Sequence, residues 1–136
     1  MTIKKLNDQF SVSGALSEQD FTTLVSSDVS LLINVRPDNE SPEQISSDEY
    51  LRLCKQHAID YVYIPVSPCQ YSDSDVQKMA ASLASSKGKV HCFCRTGARA
   101  AHMWALANKK QLSFEHLQSL LSSQAYDLNV IADKFK

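Results

Sequence analysis

The sequence predicts a three-layer α/β protein, with a mainly parallel central sheet of four or five strands flanked by helices. Three observations carry that expectation. Short apolar runs that fit strands, near Phe10, Leu31, Tyr61 and Val90, alternate with helical patterns opened by capping residues. Strands separated by helices pair in parallel, because a crossover helix brings the chain back to start the next strand in the same direction. The last run, Val90 to Phe93, passes through Cys94-Arg95-Thr96-Gly97 into a helical pattern at Ala98, so strand, tight loop and helix meet at one point.

Phe10-Ser11-Val12-Ser13 alternates apolar and polar residues and stops at Gly14, which is a short strand and a turn. Ser17 precedes Asp20 by three residues, a capping pattern that starts a helix carrying Phe21, Leu24 and Val25 inward. Leu31 to Val35 reads as a buried strand closed by Arg36-Pro37-Asp38-Asn39. Ser46 with Glu49 repeats the capping box for a helix through about His57. Tyr61 to Ile64 is the third strand, ended by Pro65, and a loop with Pro68, Cys69 and Tyr71 leads to a helix over Asp73 to Ser86. After the strand before Cys94, everything reads as helix: Ala98 to Leu112, Ser113 to about Ser123, and Tyr126 to Phe135. The serine pairs at 26–27, 46–47, 85–86 and 122–123 fit helix ends rather than linkers.

A length of 136 residues suits a single domain over 1–136 with one core. The 14 basic residues are scattered and offset by 15 acidic ones, which gives no footprint for nucleic acid or an anionic membrane. No stretch approaches the ~18 apolar residues of a membrane helix, and the N-terminus lacks a signal-peptide core, so a cytoplasmic protein is expected. Cys54, Cys69, Cys92 and Cys94 are then free thiols rather than a disulfide framework.

In a parallel sheet the loops at the carboxyl ends of the strands share one edge, where ligands bind. That edge gathers the stretch from Arg36 to Glu40, the stretch from Ser67 to Tyr71, and the Cys94 loop. The first turn of a helix has unpaired N–H groups and the positive end of the helix dipole, so a loop bending into it can cradle an anion. Gly97 lets the backbone come close. The same field, with Arg95 and Arg99, favours the ionised form of a thiol at the loop entrance, where Cys94 sits. A thiolate below a ring of N–H donors, with an arginine at the far lip, suits covalent phosphoryl or persulfide chemistry. A plain buried strand cysteine is the alternative.

Ile33-Asn34-Val35-Arg36-Pro37, Tyr63-Ile64-Pro65-Val66 and Cys94 to Arg99 running into Trp104-Ala105-Leu106 resemble a bacterial family of small phosphatase-like proteins, also found fused to beta-lactamase-like hydrolase domains. The resemblance spans about Phe10 to Ala107. It implies a fold similar to the dual-specificity and tyrosine phosphatases. It makes Cys94 the nucleophile, Arg99 the oxyanion-binding arginine, and Arg95, Thr96, Gly97 and Ala98 the phosphate cradle. It implies a phosphorylated small molecule or phosphoprotein as partner, and no cofactor.

Two departures stand out. Tyrosine phosphatases place five residues between Cys and Arg, whereas four lie between Cys94 and Arg99, the rhodanese spacing. Counting five onward from Cys92 reaches Ala98, so Cys92 is not the nucleophile. Phosphatases also carry an Asp general acid after the strand that ends here at Ile64-Pro65-Val66, and Pro68 or Cys69 stands near that place. Asp73 and Asp75 are the nearest substitutes, though both also fit as carboxylates placed for the helix dipole. Sulfur transfer through a persulfide on Cys94 is the alternative reaction, because Leu31 to Arg36 also resembles the rhodanese Asp-Val-Arg strand. The Gly-His-Ile-Pro-Gly-Ala segment of that family is absent, which argues against its fold. With no general acid in place, a module that binds phosphate without turning it over is the third reading.

Around this centre, Arg36 with Glu40 fits either an ion pair bracing the active edge or an ordinary turn pair of little energetic weight, and His102, on the helix face of Arg99, fits either a support for the loop or a histidine packed at a helix edge. Cys69 is placed to form a resolving disulfide if its loop lies over Cys94. His91, Cys92 and Cys94 lack further partners at paired spacing, so no metal site is expected.

Overall fold

The computed structural model covers residues 1–136. Five strands, β1 (Lys4–Lys5), β2 (Phe10–Ser13), β3 (Val29–Asn34), β4 (Asp60–Tyr63) and β5 (Lys89–Phe93), form one sheet in the order β1-β2-β5-β3-β4. Only β1 runs antiparallel, against β2; the β2/β5, β5/β3 and β3/β4 pairs are parallel. The expected central strand is therefore in the middle, with Val90 paired to Phe10 on one side and to Leu31 on the other.

Helices α1 (Glu18–Ser26), α2 (Ser47–Gln56), α3 (Asp73–Ser85), α4 (Ala98–Ala107) and α5 (Phe114–Ser122) cover the sheet, followed by a 3₁₀ helix at Asn129–Phe135. Strand alternation sorts them into layers. On β3, Leu31 and Ile33 enter a large core with Met79 of α3, Met103 and Trp104 of α4, and Leu117 and Leu121 of α5. Leu32 faces the other way, into a smaller core with Phe21 and Leu24 of α1 and Tyr50 and Leu53 of α2. On β5, Cys92 joins the large core and Phe93 the small one, and Cys94 just beyond the strand returns to the large side. Trp104 stacks on Phe10 with centroids 5.6 Å apart and planes 20° apart, which ties α4 to the sheet.

Ser17, Ser46, Ser72 and Ser113 each accept the N–H three residues on, so four helices begin on serine caps. The reciprocal half of the capping box closes only at Ser17, where the Asp20 carboxylate accepts the Ser17 N–H. Glu49 instead turns its carboxylate to Arg52, one turn along α2. One strand lies outside the expected elements, and two further expectations need correction. β1 is a two-residue, lysine-only strand and carries no apolar signal of its own. The helix read to Leu112 stops at Ala107, because Asn108 folds its amide back to the Trp104 carbonyl at 2.8 Å and the chain turns. The last helix is 3₁₀, begins at Asn129 rather than Tyr126, and kinks at Ile131 (φ −125°).

On the small-core face of β5, His91 is fully buried between Ser11 Oγ (2.7 Å from Nδ1) and Ser13 Oγ (2.8 Å from Nε2). Burial pushes its pKa from 6.5 down to about 4, so the folded protein holds it neutral while the unfolded chain takes up a proton below 6.5. Stability from this group is thus present above pH 6.5 and is lost as the pH falls towards 4. Urea titrations should show unfolding free energy dropping by roughly 2 kcal/mol between about pH 7 and pH 5, and His91→Asn should remove most of that slope. An unchanged slope would mean that His91 is not the titrating group.

Candidate active site

Cys94 leaves the end of β5 fully buried, and its sulfur accepts the Gly97 N–H at 3.1 Å, so the loop closes over the thiol before α4 begins at Ala98. Gly97 makes this turn possible: it caps α4 in the left-handed region (φ 97°, ψ −17°), which costs an L side chain strain. Three neighbours hold the loop from behind. Cys94 N–H donates to the Ser13 carbonyl (3.4 Å), Ala15 N–H to the Arg95 carbonyl (3.2 Å), and the Tyr126 hydroxyl to the Thr96 carbonyl (3.3 Å). A Cβ on Gly14 would stand 2.9 Å from the Arg95 carbonyl oxygen, so that approach also needs glycine.

Arg99, the second residue of α4, is 7% exposed. Its two terminal nitrogens grip Glu40, Nη1 to Oε2 at 2.7 Å and Nη2 to Oε1 at 3.0 Å, and Nη1 also donates to the Val66 carbonyl at 3.0 Å. Glu40 is shared: Arg36 Nε donates to Oε1 at 2.9 Å while Arg36 Nη2 donates to Ser41 Oγ at 3.0 Å. The hydrogen bonds from Arg99, then those from Arg36, hold the Glu40 carboxyl below the usual carboxylate range against the opposing effect of burial. With Glu40 across its end, the guanidinium keeps Nε–H and one Nη2–H free on a single edge, the edge that can hold two oxygens of an oxyanion. The expected Arg36–Glu40 pair is present, and its larger role is to fix Arg99.

Arg95, Thr96, Ala98 and Arg99 form one side of a cleft of about 440 Å³, with Glu40, Pro68, Cys69, Tyr71 and His102 around the rest. His102 accepts a place in the wall through two bonds, Nδ1 to the Tyr71 hydroxyl and Nε2 to the Asp127 carbonyl, each 2.9 Å. The carbonyl can only accept, so Nε2 carries the hydrogen and neutral Nδ1 accepts from Tyr71 O–H. A larger cavity of about 630 Å³ lies at the opposite, amino end of the sheet around Lys4, Lys5 and Lys89, away from the Cys94 loop.

Asp73 and Asp75 do not join this group. Both sit in the first turn of α3, and Asp73 lines a separate cavity with Lys109 and Lys110. Of the thiols, Cys69 is exposed at the cleft in a left-handed conformation (φ 62°). Burial pushes Cys54 up to about 12 and Cys92 well above the ordinary range. His91 points to the opposite sheet face from Cys92 and Cys94, which separates the three side chains considered as ligands. Glu40 with Arg99, Tyr71 with His102, and Tyr126 behind the loop are the site contacts that sequence reasoning missed. Each joins segments far apart in the chain.

A mainly parallel sheet with a cysteine-headed loop at the carboxyl end of its central strand, opening a helix that carries an arginine, is the tyrosine-phosphatase fold. A phosphatase of that fold, PTPMT1 in complex with PI(5)P, superposes with a TM-score of 0.76 over 98% of this chain and 94% of its own, at 13% identity. A candidate phosphatase of Neisseria meningitidis Z2491 superposes with a TM-score of 0.87 over 100% of this chain and 97% of its own, at 19% identity. The chain belongs to the family of the beta-lactamase hydrolase-like protein, phosphatase-like domain, whose model matches residues 2–111. A beta-lactamase hydrolase-like protein of Xylella fastidiosa (strain Temecula1 / ATCC 700964) is 25% identical over 130 residues, covering 94% of this chain and 30% of that protein. The chain thus spans less than a third of the length of that relative. No helix is long and apolar enough to cross a membrane.

Proposed function

We propose that this chain is a phosphoric monoester hydrolase acting through a Cys94 thiolate. The observation that carries the reading is the Gly97 N–H aimed at Cys94 Sγ from the start of α4, with Arg99 held by Glu40 at the same loop. Cys94 attacks phosphorus and forms an S–P bond as the P–O ester bond breaks and the alcohol departs, and the loop amides of Arg95 to Ala98 with the free edge of Arg99 hold the equatorial oxygens as charge builds on them. Water then releases phosphate and regenerates the thiolate. The 440 Å³ cleft suits a phosphorylated small molecule or a phosphorylated side chain.

The four-residue spacing favours a second reading, sulfur transfer, because a tight cradle fits a single persulfide sulfur. Mass spectrometry of the intact protein decides between them. Rapid quenching with p-nitrophenyl phosphate should give a phosphoryl adduct on Cys94, and thiosulfate should give none. A cyanide-labile sulfur adduct without a phosphoryl one reverses the assignment, and neither adduct with sulfate or phosphate still bound makes the chain a binding module.

A further inference from the structure

We propose that Tyr71 is the catalytic proton donor to the leaving group, with His102 as the positioning residue that supplies its proton. This rests on the phosphatase reading above. An alkoxide leaving group needs a proton as the P–O bond breaks, which general acid catalysis provides at a gain of roughly 10²–10⁴-fold. The only carboxylate in the cleft wall is Glu40, and two arginines hold it ionised. Tyr71, 5% exposed, shares that wall with Arg99 and His102, and burial raises the pKa of its hydroxyl, so it holds its proton near neutral pH.

The bond pattern around His102 makes this a switchable donor. With Nε2–H committed to the Asp127 carbonyl, a neutral His102 holds the Tyr71 proton on its own Nδ1 side, where it is not available to a leaving group. Protonated His102 carries hydrogen on Nδ1 as well, so it donates to the Tyr71 oxygen and the Tyr71 hydrogen is free to turn to the leaving group. The groups acting on the imidazole are Tyr71 from the loop before α3 and Asp127 before the 3₁₀ helix, with Arg99 one turn away on α4. Burial lowers the His102 pKa, and the Asp127 carbonyl and carboxylate pull it back up.

In the first step the Cys94–phosphorus bond forms and the phosphorus–oxygen bond breaks. The Tyr71 proton moves to the departing oxygen and the Nδ1 proton of His102 moves to Tyr71. In the second step water adds to phosphorus and Cys94 departs as thiolate. The proton lost by that water passes to Tyr71 while Tyr71 returns one to His102, so the relay is restored and the net reaction consumes one water.

The test is a leaving-group series, p-nitrophenyl, phenyl and an alkyl phosphate, measured against pH for wild type, Tyr71→Phe and His102→Asn. Tyr71→Phe should lose on the order of 10²-fold on the alkyl ester and only a few-fold on the p-nitrophenyl ester, whose leaving group needs little protonation. Vanadate affinity should be unchanged, which reports an intact cradle. Wild-type turnover of the alkyl ester should fall as the pH rises through the His102 pKa, and His102→Asn should abolish that limb. Equal losses on every ester, no loss on any, or a wild-type profile without the limb overturns the relay; the last needs no folded variant. Failure of wild type to hydrolyse any of the three esters overturns the phosphatase reading itself, which separates the two outcomes.

Discussion

Cys94→Ser is expected to lower turnover of p-nitrophenyl phosphate by at least about 10³-fold, since in the proposed mechanism the bond to phosphorus is made by that sulfur, and the other thiol at the cleft, Cys69, lies outside the loop that opens α4. The exchange of sulfur for oxygen keeps the size of the side chain and leaves the Gly97 N–H an acceptor. The hydroxyl stays protonated near neutral pH, so the loop amides and Arg99 bind the anion with no nucleophile beneath it. Phosphate or vanadate affinity should therefore survive within an order of magnitude, as measured by calorimetry. Steady-state rates give the rest of the result. A serine variant that retains a tenth of the wild-type rate would show that the chemistry happens elsewhere.

Gly97→Ala is expected to cost about 3 kcal/mol or more of stability and to remove anion binding with it. Two causes add. The residue sits at φ 97°, where a Cβ is strained by roughly 1–3 kcal/mol. That Cβ would also lie 2.1 Å from the Tyr126 hydroxyl and 3.0 Å from its ring carbon, so either Tyr126 gives up its bond to the Thr96 carbonyl or the loop moves off Cys94. Tyr126→Phe should recover part of the loss and not all, because it removes the clash with the hydroxyl and leaves the backbone strain. Guanidinium titrations of the two single variants and the double variant measure that coupling. Strict additivity would mean that Tyr126 does not brace the loop.

Most of the elements were legible because their signals are local. Ser17, Ser46 and Ser113 stand where helices begin, and Phe10 to Ser13 alternates with the period of a half-buried strand. The helix at Ala98 was legible for the same reason, as a glycine followed by an alanine-rich run. β1 was not, because two lysines become a strand only when β2 offers them an edge to pair with. The C-terminal helix is 3₁₀ and kinks at Ile131, which enters the core together with Leu128, and no local pattern in the sequence marks that choice over a regular helix.

The sequence by itself determined the order of the strands and helices along the chain, and with it the meeting of a thiol, a positive-φ glycine and an arginine at one strand-to-helix turn. These residues lie within six positions of one another, so backbone geometry alone brings them together. Tertiary structure decided everything that completes the site. Glu40 reaches Arg99 across 59 residues of chain, Tyr71 reaches His102 across 31, and Tyr126 reaches the Thr96 carbonyl across 30. The physical reason is that no local pattern encodes such pairs. Glu40 could have served only Arg36, four positions before it, and Asp73 and Asp75 could have turned to the cleft. The register of β3, β4 and β5 settles both matters, because it sets which carboxyl-end loops face Cys94 and which helix start points away.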